Sequence, residues 1–173
     1  MTATFAVLLV LLAVSTVSDL KYRKIPTAWT AAGVVAGLAL GLMHGQIGGA
    51  FLGLFAGLAV GLPLFALRAI GGGDAKLIAA VGNLMGPTSL LSALLYAGIV
   101  GGVMALLQAV RRGRLTSILR RALGLTMWAA SLGRRGDRRG LDTPGATSIP
   151  YGAAIAAGAL AAWFFPLLPG GTP

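Results

Sequence analysis

Between Ile25 and Leu67 the chain runs for 43 residues without a single Asp, Glu, Lys or Arg. Two further stretches, Met1–Ser18 and Leu77–Val110, are equally free of charge, and a last apolar run covers Ile149–Leu168. A soluble domain carries about 25% charged residues. This chain has 10%, with 57% hydrophobic residues. The pattern excludes a water-soluble globular domain, and its hydrophobicity excludes a disordered chain. What remains is an all-α, polytopic membrane protein.

A helix needs about 20 apolar residues to cross a bilayer core of about 30 Å. Met1–Ser18 supplies one span. Ile25–Leu67 is too long for one, and Met43-His-Gly-Gln-Ile-Gly-Gly49 offers a turn, so two helices are expected over Thr27–Met43 and Ile47–Leu67. As one helix, Leu77–Val110 would measure about 50 Å at 1.5 Å per residue. Asn83-Leu-Met-Gly-Pro-Thr88 breaks it, so two helices are expected over Gly72–Met85 and Ser89–Val110. Ile149–Leu168 makes the sixth.

The charges agree with six crossings. All 14 Lys and Arg fall within residues 19–24, 68–76 and 111–139. Six-span parity puts those segments on one side, which the positive-inside rule identifies as the cytoplasm, leaving both termini outside. A net charge of +10 would suggest nucleic acid in a soluble protein. Here it reads as topology, the partner is the lipid bilayer, and no nucleic acid is expected. Met1–Ser18 has its positive charges after the apolar run, unlike a signal peptide, and reads as a first helix. Residues 115–132 are apolar but carry Arg120 and Arg121 centrally. That favours an interfacial helix over a span, within a cytoplasmic basic loop 111–148. With no repeat of domain length, residues 1–173 read as one membrane-embedded domain.

Glycines recur every four residues at Gly33, Gly37 and Gly41 and again at Gly49, Gly53, Gly57 and Gly61. Such stripes let helix backbones approach closely in lipid.

Chemistry is restricted by what is missing. With no cysteine and one histidine, thiol chemistry is out. His44 falls on the side opposite the charged segments, so a Ser-His-Asp triad is not expected. A catalytic metal would need more ligands than the chain offers, and no cofactor is expected. The four acidic residues are Asp19, Asp74, Asp137 and Asp142. The last two sit in an Arg/Gly-rich stretch and read as solvated loop charges. Asp19 and Asp74 each stand where a polar loop meets an apolar helix, and ionisable groups at membrane depth mark functional sites. Gly71-Gly-Gly-Gly73 before Asp74 frees the backbone for close approach. Facing carboxylates cannot both ionise easily, so one can act as base and the other as acid.

Asp19-x-Lys21-x-x-Lys24-Ile25-Pro26, followed by Gly71-x-Gly73-Asp74-x-Lys76, resembles the type IV prepilin peptidases, polytopic aspartic proteases of the GxGD kind. In length and motif spacing the chain is most similar to the CpaA/TadV type of the Flp/Tad pilus system. Ile149-Pro150-Tyr151-Gly152 looks like the family's Pro-aromatic-Gly sequence at the last helix. Thr27 and Ala153 stand where many relatives have Asn and Pro. The resemblance implies an aspartic endopeptidase of the bacterial inner membrane that removes the leader peptide from prepilins or pseudopilins at the cytoplasmic face. It implies Asp19 and Asp74 as the catalytic pair, supported by Lys21, Lys24, Ile25, Pro26, Gly71, Gly73 and Lys76. The cysteine-bearing insertion of the bifunctional, N-methylating members has no counterpart here, so peptidase activity alone is expected. Lys21 and Lys76 read either as topology signals or as charges that tune an aspartate. A non-enzymatic scaffold or transporter subunit is the alternative, since glycine stripes and an intramembrane acid suit those too.

Overall fold

The computed structural model describes residues 2–22, 24–67, 69–111 and 151–168. The expected interfacial helix 115–132, nearly all of the basic loop 111–148, and Ile149 and Pro150 lie outside them. The described residues form five helices: α1 (Thr2–Tyr22), α2 (Thr27–Met43), α3 (Ile47–Ala66), α4 (Gly72–Arg111) and α5 (Tyr151–Phe164). The chain forms two compact units, Met1–Gly101 with Pro150–Pro173, and Gly102–Ile149. In the second, the described part is the helical stretch 102–111. Both Asp19 and Asp74 belong to the first.

Three helical stretches are long and apolar enough to cross a membrane, Ala3–Tyr22, Ile47–Ala66 and Gly72–Gln108; α2 and α5 are apolar but shorter. α2 has the bounds its flanking signals predict. Pro26 precedes it with φ −63° and ψ 130°, and Gly45 follows in the left-handed region at φ 70°. α1 runs past Ser18 to Tyr22, because a polar side chain does not interrupt the backbone ladder. Asp19 therefore lies inside the helix, in its last turn, rather than at the junction with a loop.

Where a break is expected between Met85 and Ser89, α4 breaks at one residue, Gly86, whose φ of 79° and ψ of 169° are not helical. Pro87, which cannot continue a ladder, follows. The chain doubles back there. A side chain at Gly82 would lie 2.9 Å from Leu90 Cδ2, whereas eight residues of straight helix cover about 12 Å.

Packing neighbours fix the directions of the helices. α1 and α2 run antiparallel, tied by Ser18 Oγ donating to Lys24 O at 2.7 Å and by Leu11 lying over Gly33. α3 runs antiparallel to the first arm of α4: Gly53 faces Gly82 and Gly86, Gly57 faces Ile78 and Ala79, and Gly61 faces Ala75. The second arm runs antiparallel to α5, with Gly158 against Ala93 and Ala97 and Gly101 against Tyr151. α5 in turn runs antiparallel to α1, with Asp19 by Gly152 and Phe5 packed at a tilt against Trp163, centroids 5.0 Å apart. One end of the bundle thus gathers Asp19, Thr27, Asp74 and Tyr151. The other gathers Phe5, His44, Gly86 and Trp163.

The first arm of α4 is the central helix, with Leu77, Ile78, Ala80, Val81, Leu84 and Met85 all buried. α3 is built the other way round. Its buried positions are Ala50, Gly53, Gly57 and Gly61, while Phe51, Leu52, Phe55, Leu62 and Phe65 point outward. Small residues inside and large apolar ones outside suit a helix that packs in lipid, where exposing hydrocarbon carries no penalty.

Candidate active site

Four strands of chain converge at the aspartate end, and each does so for a local reason. α1 ends there, and the Ser18–Lys24 bond folds the following turn back. That turn carries Ile25, which is buried against the first turn of α4. A Cβ on Gly73 would lie 3.0 Å from Ile25 Cβ, so the absent side chain of Gly73 is what lets the turn settle. Pro26 caps α2 by conformation, and its carbonyl accepts from Trp29 N at 3.2 Å. Thr27 Oγ1 then accepts from Lys76 Nζ at 2.8 Å. This bond joins the two sequence motifs directly and gives Thr27 a role that sequence comparison alone left blank.

Asp74 is held by its own helix start. Gly71 stands at the N-cap: its carbonyl accepts from Ala75 N at 3.1 Å, and its N–H donates to Asp74 Oδ2 at 3.0 Å. That is the reach-back half of a capping box, in which an acidic third residue satisfies the cap's orphan donor. Asp19 is nearly buried at 9% exposure. It stands in the last turn of α1, where the helix dipole disfavours an anion. The compensation comes from elsewhere in the chain, as Gly152 N–H, in the first turn of α5, donates to Asp19 Oδ2 at 3.0 Å.

Of the residues singled out from sequence, Asp19, Lys24, Ile25, Pro26, Gly71, Gly73, Asp74 and Lys76 all take part in this convergence. Lys21 and Lys24 have exposed side chains; Lys24 contributes through its carbonyl. Lys76, also exposed, bonds to Thr27. Gly152 was visible in the sequence only as part of a motif at the last helix; its bond to Asp19, 133 residues away, has no local signal. Among the described residues no three His, Cys, Asp or Glu side chains converge as a metal site would require. A separate cavity of about 720 Å³ opens at the opposite end, lined by Thr4, His44, Asn83 and Thr88 among others.

Apolar helices long enough to cross a membrane, with two carboxylates at one end of the bundle, define a helical protein of the membrane type. Residues 6–106 match the model of the type IV leader peptidase family. That is more than half of the chain, it takes in both aspartates, and the chain belongs to this family. No curated protein and no solved structure gives a significant match.

Proposed function

We propose that this peptidase is a prepilin leader peptidase of the GxGD aspartic type, of the CpaA/TadV kind, acting in the bacterial inner membrane. It crosses the bilayer six times, with both termini outside and the aspartate end at the cytoplasmic face. The observation that carries the reading is the convergence of Asp19 and Asp74, from motifs far apart in the chain, at one end of the bundle. The helix directions, with Lys21, Lys24 and Lys76 at the aspartate end, and the clustering of Lys and Arg along the sequence support the topology.

In the reaction, one aspartate, ionised, takes a proton from water while the water oxygen attacks the scissile carbonyl carbon. The other, protonated, donates to the carbonyl oxygen. The first then passes its proton to the leaving amine as the C–N bond breaks. The second recovers its own from a hydroxyl of the gem-diol. The products are the basic leader and the mature pilin, and the pair returns to its starting state. The substrate's basic leader is repelled by the basic segments, so recognition rests on the apolar pilin helix lying among the spans. Methyl transfer is not part of the reaction.

Co-expression with a Flp-type prepilin, scored by the pilin's size shift on a gel, tests this. Wild type cleaves, and Asp19→Asn and Asp74→Asn each abolish cleavage, at least a thousandfold, as expected when either member of an acid–base pair is lost. Cleavage surviving both substitutions overturns the aspartic mechanism.

A further inference from the structure

We infer that the first turn of α5 is a positioning element of the catalytic pair, and that Gly152 is its working residue. Gly152 N–H clamps Oδ2 of Asp19 and leaves Oδ1 as the oxygen that meets water. The inference rests on the proposed peptidase activity and adds to it a residue from a different part of the chain.

Three observations converge on Gly152. It is the second residue of α5, so its N–H has no partner within its own helix. That N–H is spent on Asp19 Oδ2, in a buried setting. The position also has no room for a side chain: a Cβ there would lie 2.8 Å from Oδ2 and 3.2 Å from both Cβ and Cγ of Asp19. Glycine at 152 therefore supplies a donor and a gap at once. Oδ1 of Asp19 has no hydrogen-bond partner among the described residues.

The two aspartates are held in parallel ways. Asp74 also has Oδ2 bound to a glycine N–H, that of Gly71, and Oδ1 left over. The difference is reach. Gly71 belongs to Asp74's own helix, so that clamp travels with its residue. Gly152 belongs to α5, so the Asp19 carboxyl is poised only while α5 sits against α1. Any shift of α5 along α1 turns the Asp19 carboxyl away from its working geometry. Among the described residues, the ionisable side chains near Asp19 at this end of the bundle are Asp74 and Lys76 on α4, Lys21 and Tyr22 on α1, Lys24 in the turn and Tyr151 on α5. Among the described residues none of them forms an ion pair with Asp19.

Two measurements on the full chain in micelles test this. The first needs no substrate. Tyr151-Gly152 is the one Tyr-Gly pair in the sequence, so carbonyl-13C tyrosine with 15N-glycine labels a single amide. In wild type that amide exchanges with solvent slowly. Asp19→Ala removes its acceptor and is expected to speed exchange by roughly tenfold or more, while Asp74→Ala leaves it slow. Exchange that is already fast in wild type, or unchanged in Asp19→Ala, overturns the clamp. The second is cleavage by Gly152→Ala, which keeps the donor but crowds Oδ2. A fall in kcat of roughly tenfold or more with KM unchanged is expected, since pilin binding does not involve Oδ2. A rise in KM at constant kcat overturns the positioning role. If wild type cleaves no prepilin while the exchange result holds, the peptidase reading fails and the clamp stands.

Discussion

Gly53→Ala adds one methyl group where two backbones touch, and its cost can be worked from the packing. The new Cβ would lie 2.6 Å from the Gly82 carbonyl carbon and 3.0 Å from Gly86 Cα. Carbon atoms sit comfortably at about 3.5–4.0 Å, so α3 and α4 must part by roughly 1 Å. No side chain stands between them to rotate away. A gap of that size forfeits about a quarter to a half of the attraction along the seam, and overpacking of this kind costs about 1–3 kcal/mol. Against it stands the better helix propensity of alanine, about 1 kcal/mol. Gly49→Ala is the control: it lies one turn earlier on the same stripe, yet a Cβ there would meet nothing within 4 Å. Both variants gain the propensity term and only Gly53→Ala carries the clash, so the two should differ by about 1–3 kcal/mol, or roughly 5- to 150-fold in the unfolding constant. Circular dichroism of both variants during titration with sodium dodecyl sulfate in mixed micelles measures this. Equal stabilities would refute the claim that the α3–α4 seam is a backbone contact.

Hydrogen bonds at the site set two further outcomes. Asp74→Asn keeps an oxygen for the Gly71 N–H, whereas Asp74→Ala does not, so the alanine variant should be less stable by about 1 kcal/mol, although both are inactive. Equal unfolding curves would remove the capping role. Lys76→Met and Thr27→Val should be non-additive in a double-mutant cycle, with a coupling of about 0.5–1 kcal/mol for so exposed a pair; strictly additive stabilities would show the bond does not hold α2 to α4.

Sequence and structure agree most where the signal is local. Pro26 and the His44-Gly45 turn bracket α2, and the Gly-Pro pair marks the reversal of α4. They part where a decision is non-local. Asp19 reads in the sequence as the junction between helix and loop because charge begins there, yet a helix end is set by its backbone partners and the turn that follows. Gly49 and Gly53 look alike as members of one stripe; only the partner across the seam separates a glycine that is required from one that is not. The aspartates stood out because charge is scarce in this chain. Gly152 did not, because nothing within its own neighbourhood records that Asp19 lies beside it. Thr27 reads in the sequence as a departure from its relatives, and only the fold places its hydroxyl on Lys76.

The contact between α1 and α5 also fixes a thickness. Asp19 meets one end of α5 and Phe5 meets the other, a rise of about 21 Å along α1 at 1.5 Å per residue. With the Phe5–Trp163–Phe164 cluster at the far headgroups, where tryptophan concentrates, hydrocarbon of about 30 Å would bury the carboxylates about 9 Å deep. On the proposed topology the bilayer would thin beside these two helices to bring water to Asp19, at a fraction of a kcal/mol for each ångström. Lipid chain length would then control the protein: short acyl chains would present the aspartate end to water, and long ones would draw it under.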